Sequence, residues 1–390
     1  MNIAHVLSSF GMGGQERVAL DLARGQLAAG HQVFAVSLAE GPEGPHAENF
    51  RSAGARVFSL PKGAGFDVTL LARLHALLRR EAVSIVHTHN PQPLVYGAPA
   101  GKLAGARVVH TKHGANPDGA RRRWLRRGAS EFADAYVAVS NTTGELARRN
   151  RECRFERLHV IPNGIDLAQF APDPNAKLGV CRELGIPEGA RIIGTVGRLA
   201  KEKNQRLLIA AAAPLLSDSV RLVLVGTGPE QEALQTFARS LAHGKYVHFA
   251  GARNDVGRVL AMLDVFALSS LTEGLPLVIP EAMAAALPIV STRVGGIPDV
   301  VEDGKIGFLV PSGDEHALRE SLSKLLEDPT LAAWMGTRAR SVALSRYSAS
   351  RMTADYMTLY ERVLSTNARA PHASYLEGQR WTSLRSRLSL

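Results

Sequence analysis

Glu273 and Glu281, with seven residues between them, are the acidic pair in this sequence best placed to do chemistry. Glu281 is the one charged side chain in the 19-residue stretch 274–292, where its neighbours include Leu277, Val278, Ile279, Ala282 and Met283. A carboxylate in such company costs several kcal/mol unless something donates hydrogen bonds to it. A helix start nearby offsets on the order of 1 kcal/mol of that. A pair of ligand hydroxyls, such as a ribose diol, would be one good partner. Backbone N–H groups at the helix start would be the other, because buried polar groups are usually satisfied internally. Glu273 stands in the loop Leu271-Thr272-Glu273-Gly274-Leu275-Pro276, from which it can reach into a cleft while Gly274 and Leu275 offer N–H groups.

Cations come next. In Gly197-Arg198-Leu199-Ala200-Lys201-Glu202-Lys203-Asn204 a strand passes through a loop into a helix, which sets Arg198 and Lys203 beside a helix start. Two cations with helix N–H groups can receive a diphosphate; a solvated loop is the plainer reading. Gly13 and Gly14 precede another helix and would let backbone approach a ligand, but the dinucleotide fingerprint fails because Glu16 stands where its third glycine belongs. The turn Gly226-Thr227-Gly228-Pro229 is of the same kind, with Pro229 suited to a first helical position. Two histidine-bearing strand ends, His87-Thr88-His89 and His110-Thr111-Lys112-His113, would face the same cleft. No carboxylate has ligand spacing to these histidines and no Asp-x-Asp motif occurs, so no metal site is expected.

The elements that must position these residues alternate from the first residue onward. Apolar strand runs fall at 2–8, 31–38, 55–60, 84–87, 107–111 and 136–140, with helical spacing at 15–29 and 68–78. The rhythm then pauses near His159–Gly164, and 165–189 reads as a linker holding a short helix. A second series follows at 191–196, 221–225, 246–249, 264–268, 288–292 and 306–310, and 315–365 is largely helical. Such alternation predicts two α/β domains, each a doubly wound parallel sheet, with ligands outside the carboxyl ends of the strands.

Composition sets the outer limits. Of 390 residues, 45% are hydrophobic and Gly plus Pro number 56, which excludes disorder as the main state. Two cysteines, Cys153 and Cys181, exclude a disulfide scaffold. The opening residues lack a basic region, and the most apolar stretch, Leu207–Leu216, is ten residues and too short to span a bilayer, so a cytoplasmic protein is expected. The net charge of +10 is lopsided: residues 1–165 hold 21 Lys and Arg against 13 Asp and Glu. Arg121, Arg122, Arg123, Arg126 and Arg127 form one cluster and the arginines of 148–157 another. They suggest an anionic partner surface or, equally, a solvated helix face. Residues 367–390 read as a basic, weakly ordered tail.

Taken in order, Gly13-Gly14, the His113 region, Pro162-Asn163-Gly164-Ile165-Asp166, Gly197-Arg198 through Lys203-Asn204, Gly226-x-Gly228-Pro229, Glu273-x7-Glu281 and Gly295-Gly296-Ile297-Pro298-Asp299 resemble the retaining glycosyltransferases of family 4. The resemblance runs over about residues 2–365. It implies the GT-B fold: two tandem Rossmann-like domains, 1–165 on the acceptor side and 166–347 on the nucleotide-sugar side. A cleft would lie between them, and a C-terminal helix, about 348–366, would cross back to the first.

It also implies roles. Glu281 would hold the ribose, while Arg198 and Lys203 would neutralise the departing diphosphate in place of a metal. Glu273 with Gly274 and Leu275 would orient the donor sugar, and His113 would bond it near the reacting carbon. Gly13, Gly14, Gly197, Gly226 and Gly228 would border the donor, and His87, His89 and Lys112 would face the acceptor. The implied reaction is metal-independent transfer, with retention, from a nucleotide-diphosphate sugar to a hydroxyl acceptor such as a lipid-linked glycan. The setting would be polysaccharide, lipopolysaccharide or glycolipid assembly, without cofactor or nucleic acid, with the Arg121–Arg127 cluster against the inner face of an anionic membrane. A nucleotide-sugar epimerase and a non-catalytic nucleotide-binding protein are the alternatives on the same fold.

Overall fold

The computed structural model describes residues 1–39, 44–115 and 119–365; the tail read at 367–390 lies outside the described residues. Thirteen strands form two wholly parallel sheets. The first contains β1 (Asn2–Leu7), β2 (Gln32–Ser37), β3 (Arg56–Ser59), β4 (Ile85–His89), β5 (Arg107–Lys112), β6 (Ala135–Ala138) and β7 (Leu158–Val160), in the order β3-β2-β1-β4-β5-β6-β7. The second contains β8 (Arg191–Val196), β9 (Val220–Val225), β10 (Val247–Phe249), β11 (Val265–Leu268), β12 (Ile289–Thr292) and β13 (Gly307–Val310), in the order β10-β9-β8-β11-β12-β13. Both sheets reverse direction of growth once, between β1 and β4 and between β8 and β11. Where strand order reverses, the flanking loops part and leave a crevice at the carboxyl ends of the strands.

Burial explains why these runs are strands. β9 is buried along its whole length, as is β4, because helices cover both faces of each sheet. The pause read near His159 is in part a strand: β7 closes the edge of the first sheet, pairing Tyr136 with Leu158 and Ala138 with Val160. Its brevity and half-exposed side chains hide the apolar run that marks the other strands.

The chain passes between the two sheets twice, and the crossings pair. Ile165 N–H donates to Tyr347 O at 2.9 Å, and Ala349 N–H donates to Ile165 O at 2.8 Å. Gly164 is required there, since a Cβ would sit 2.3 Å from Ser348 O. The helix Ala349–Ser365 then returns to the first sheet and buries Tyr356, Leu359 and Tyr360 against it, beside the helix Gly14–Ala28. The crossover helix expected at about 348–366 is this one. No described helix is long and apolar enough to cross a membrane.

Candidate active site

The loops after β8 and β11, on either side of the second reversal, carry the cationic and acidic candidates. Lys203 Nζ donates to Glu273 Oε1 at 2.6 Å, and Ser270 Oγ donates to the same oxygen at 2.7 Å. Lys203 ends a single 3-10 turn, and Asn204 follows it with φ +47°, which turns the chain into the helix Gln205–Ala212. Arg198 is exposed, and its guanidinium makes no hydrogen bond or ion pair among the described residues. Gly226, at φ +131°, lets the loop after β9 close onto the loop after β8: a Cβ would meet Gly197 O at 2.0 Å. Gly228 stands equally close to Leu199 O, and Leu199 N–H donates to Thr227 O at 3.0 Å.

Glu281 lies in the helix Val278–Ala284, half-buried between Ile279, Ala282 and Met283. Its carboxylate accepts no hydrogen bond from any described residue, and the helix start has no side-chain cap. The capping alternative is therefore not what the structure has. Burial pushes the Glu281 carboxyl up to about 7; Arg17 of the first domain pulls it down and Asp21 pushes it further up. The N–H groups of Gly274 and Leu275 likewise have no acceptor among the described residues. Unspent donors and an unspent acceptor on adjoining elements are groups that a polar ligand could satisfy.

Across the gap, the loop after β1 places Gly13 at the start of the helix Gly14–Ala28, with Gly14 against the Leu277 side chain. His113, just past β5, is partly exposed; its backbone N–H donates to Asn90 Oδ1 at 3.1 Å and its Nε2 lies 3.0 Å from His89 Nδ1. Burial pushes the His113 imidazole down to about 3. The His113 carbonyl meets Gly274 of the second domain so closely that a Cβ there would lie 1.9 Å from the oxygen. Further bonds hold the lobes together: Asn163 Nδ2 donates to Leu275 O at 3.1 Å, Thr142 N–H to Asp299 Oδ2 at 3.2 Å, and Arg17 Nη2 to Gln169 Oε1 at 3.1 Å.

Three acceptor-side expectations need correction. β4 extends to His89 and β5 to Lys112, so these side chains lie inside central strands rather than beyond them. His87 is fully buried between Thr111 Oγ1 at 2.7 Å and Tyr360 Oη at 2.6 Å. His89 is fully buried between His5 and His113. Lys112 is buried and ion-paired to Glu152 at 2.8 Å, with Tyr136 Oη donating to the same carboxylate oxygen at 3.0 Å. None of the three faces the cleft. The arginine cluster also divides: Arg126 is buried beside Glu152, 3.5 Å away, and Arg127 Nε donates to Asn150 O, so the exposed members are Arg121 and Arg122, with Arg123 half-buried.

Other site residues were not anticipated. Arg17 and Asp21 face Glu281 from the first domain, and Ser270 shares Glu273 with Lys203. For Arg17 and Asp21 spacing carried no signal, because Glu281 belongs to a distant part of the chain, whereas Ser270 stands only three residues before its partner Glu273. Asn163 and Asp299 stood inside recognised motifs, and the structure gives them an inter-lobe bonding role.

Comparison with known proteins agrees with this architecture. The family described as Glycosyltransferase Family 4 matches residues 12–169, and Glycosyl transferases group 1 matches residues 181–342. The chain is 30% identical over 321 residues to N-acetyl-alpha-D-glucosaminyl L-malate synthase of Bacillus anthracis, covering 79% of this chain and 81% of that one. It is 33% identical over 282 residues to an Escherichia coli UDP-Gal:alpha-D-GlcNAc-diphosphoundecaprenol alpha-1,3-galactosyltransferase, covering 68% and 72%. Among solved structures, Anabaena HepE in complex with UDP and glucose superposes with a TM-score of 0.85 at 23% identity over 93% of this chain and all of that one, a likeness of fold. With two reversed parallel sheets, their returning helix and these matches on a single chain, the protein belongs to glycosyltransferase family 4 and is a glycosyltransferase of the two-domain GT-B fold.

Proposed function

We propose that the protein transfers a sugar, with retention of anomeric configuration and without a metal, from a nucleotide-diphosphate donor held on the second domain to a hydroxyl acceptor. The observation that carries this reading is Glu281, a half-buried carboxylate that accepts no hydrogen bond from any of the described residues. A ribose diol supplies two O–H donors to it. The diphosphate then falls to the loop after β8, where Arg198 is unpaired among the described residues and Lys203 can bridge Glu273 and a phosphate oxygen. Fixed cations of this kind stabilise charge on the departing phosphate without reorganising. Gly274 and Leu275 N–H groups orient the sugar, with His113 on its other side. Same-face attack is carried over from the resemblance to retaining glycosyltransferases and rests on no distance here.

Lys203→Ala tests the leaving-group role. Turnover should fall by about 100-fold or more, as for loss of one preorganised electrostatic contact, while the pairing of Ser270 with Glu273 keeps the loop in place. Steady-state kinetics decides it, and turnover within threefold of wild type would refute the assignment.

The acceptor is proposed to be lipid-linked, in surface polysaccharide or glycolipid assembly, on two grounds. The E. coli relative is named for a diphosphoundecaprenol substrate. Arg121 and Arg122 also share the first domain with large apolar side chains that face solvent, Trp124 at 71% and Phe155 at 65% exposure. Cationic and aromatic side chains together suit the anionic headgroup region of a bilayer. Co-sedimentation should therefore be strong with vesicles containing anionic lipid, weak with zwitterionic ones, and lost in high salt. Equal recovery with both vesicle types would remove the membrane contact.

A further inference from the structure

Gln26 is fully buried near the end of the helix Gly14–Ala28, well behind the cleft, yet an unbroken line of hydrogen bonds joins it to His113. Gln26 Oε1 lies 2.8 Å from His5 Nε2, His5 Nδ1 lies 3.0 Å from His89 Nε2, and His89 Nδ1 lies 3.0 Å from His113 Nε2. A neutral imidazole donates from one ring nitrogen and accepts at the other. Burial pushes His5 down to about 4, His89 well below its ordinary value and His113 to about 3, so all three rings are neutral near pH 7.

The direction of every bond then follows from the first. A carbonyl oxygen can only accept, so His5 donates from Nε2 and must accept at Nδ1. His89 therefore donates from Nε2 and accepts at Nδ1, and His113 in turn donates from Nε2. What remains at the cleft is His113 Nδ1, which has no partner among the described residues. We propose that Gln26 is a positioning residue that holds His113 in its Nε2–H tautomer, through His5 and His89, so that Nδ1 meets a ligand hydroxyl as an acceptor only. The last clause rests on the proposed contact between His113 and the donor sugar; the tautomer itself does not.

A second line of bonds leaves the other end of the Gln26 amide and is consistent with the same orientation. Its Nε2 donates to Tyr360 Oη at 3.5 Å, Tyr360 Oη donates to His87 Nδ1 at 2.6 Å, and His87 Nε2 donates to Thr111 Oγ1 at 2.7 Å. Thr111 then donates to Tyr356 Oη at 2.9 Å. Turning the amide over would reverse all of these donors along with those of His5, His89 and His113. Tyr356 and Tyr360 both lie on the returning helix Ala349–Ser365, so its docking on the first sheet connects that helix to a ring in the cleft through hydrogen bonds. The identity of a histidine's donor nitrogen is commonly set in this way, by the bond its other nitrogen makes.

The experiment is nitrogen NMR of the full chain with labelled histidine, which separates Nδ1–H from Nε2–H rings without reference to activity. Wild type should show His5, His89 and His113 all protonated on Nε2. Gln26→Leu removes the terminal acceptor and should shift His113 into a mixture of tautomers, with turnover falling at least about tenfold. Should that variant not fold, Tyr360→Phe removes the hydroxyl that joins the amide to His87, and should likewise give mixed tautomers at His87 and His113.

Nδ1–H at His113 in the wild type, or Nε2–H retained in both variants, would overturn the proposal. So would a stoichiometric divalent metal in the untreated protein. Nitrogens of His5, His87 and His89 lie within 4.8 Å of one another, and a metal would take the nitrogens these hydrogen bonds use. A tautomer change with unaltered turnover would uphold the relay and overturn the His113–sugar contact instead.

Discussion

Glu281→Gln should weaken nucleotide-sugar binding at least about 100-fold and, at the same time, make the unliganded protein more stable above neutral pH. Both effects come from one carboxylate held where its charge is unsupported. A carboxylate accepting two hydroxyl donors makes charge-assisted bonds about twice as strong as neutral ones, and the amide of glutamine can accept at only one oxygen. The stability effect has the opposite sign. Burial raises the folded-state value of Glu281 from 4.5 to about 7, so folding favours the protonated form. Wild-type stability is thus undiminished below about pH 4.5 and declines as pH rises towards and through 7.

Glutamine, neutral throughout, escapes that decline. Allowing for the half-buried position, the gain is on the order of 2 kcal/mol at pH 8 and close to nothing at pH 4. In wild type the donor binds the ionised form, so its affinity should weaken about tenfold per unit as pH falls below 7 and binding near neutrality should release a proton. Titration calorimetry in buffers of different ionisation enthalpy measures both the affinity and the proton. Donor affinity within threefold of wild type in Glu281→Gln would contradict the assignment.

Gly274→Ala is the second large effect, and it separates binding from turnover. The added methyl would lie 1.9 Å from His113 O, 2.9 Å from its carbon and 3.0 Å from Gly114 Cα, all of them backbone atoms. No rotamer can relieve such an overlap, so the lobes must part or the loop must shift by about 1 Å or more. A displacement of that size between reacting groups costs about 100-fold in rate. The proposed donor site draws mostly on the second domain, so donor affinity should change only a few-fold. Gly189→Ala, where nothing lies within 4 Å of the added carbon, is the matched control and should behave as wild type. Rapid-quench measurement of a single turnover, with donor affinity measured separately, shows the split. A Gly274→Ala enzyme that turns over within threefold of wild type would mean that this contact has no part in catalysis.

Much of the fold can be read from local pattern because a buried parallel strand is an uninterrupted apolar run. All six strands of the second sheet fall within a residue or two of where those runs predict them. Elements whose stability comes from elsewhere in the chain are harder. The helix Pro91–Leu103 contains three prolines and two glycines, a composition that argues against any helix. It forms because Gly97 and Gly101 let it settle onto Thr88, Val86 and Val108, where a Cβ at Gly97 would be 2.6 Å from the Thr88 methyl. Packing of that kind has no local signature. β7 is missed for the complementary reason: three half-covered residues at a sheet edge leave too short a run.

The candidate site shows the same boundary. Glu281 is legible because an isolated charge in an apolar stretch demands a partner, and Lys203 with Glu273 because each sits in a loop that follows a strand. His87, His89 and Lys112 mislead because the carboxyl end of a central strand can be buried as fully as its middle. Their side chains are claimed by Tyr360, His5 and Glu152, which lie from 40 to 273 positions away along the chain. Residue type announces that a histidine can bond; only the assembled sheet and returning helix decide with what. Gly274 was legible as a backbone N–H donor, but its close contact with the backbone of the opposite lobe was not.

Turnover by chelator-stripped enzyme tests the account most directly. The protein is dialysed against excess EDTA, its metal content is checked, and sugar transfer is followed with the nucleotide-sugar that most raises its melting temperature. If Arg198 and Lys203 stabilise the leaving diphosphate, the rate is unchanged by stripping and by added magnesium or manganese, and it collapses in Lys203→Ala whatever ion is present. A rate that vanishes on stripping and returns with a divalent ion would contradict the account.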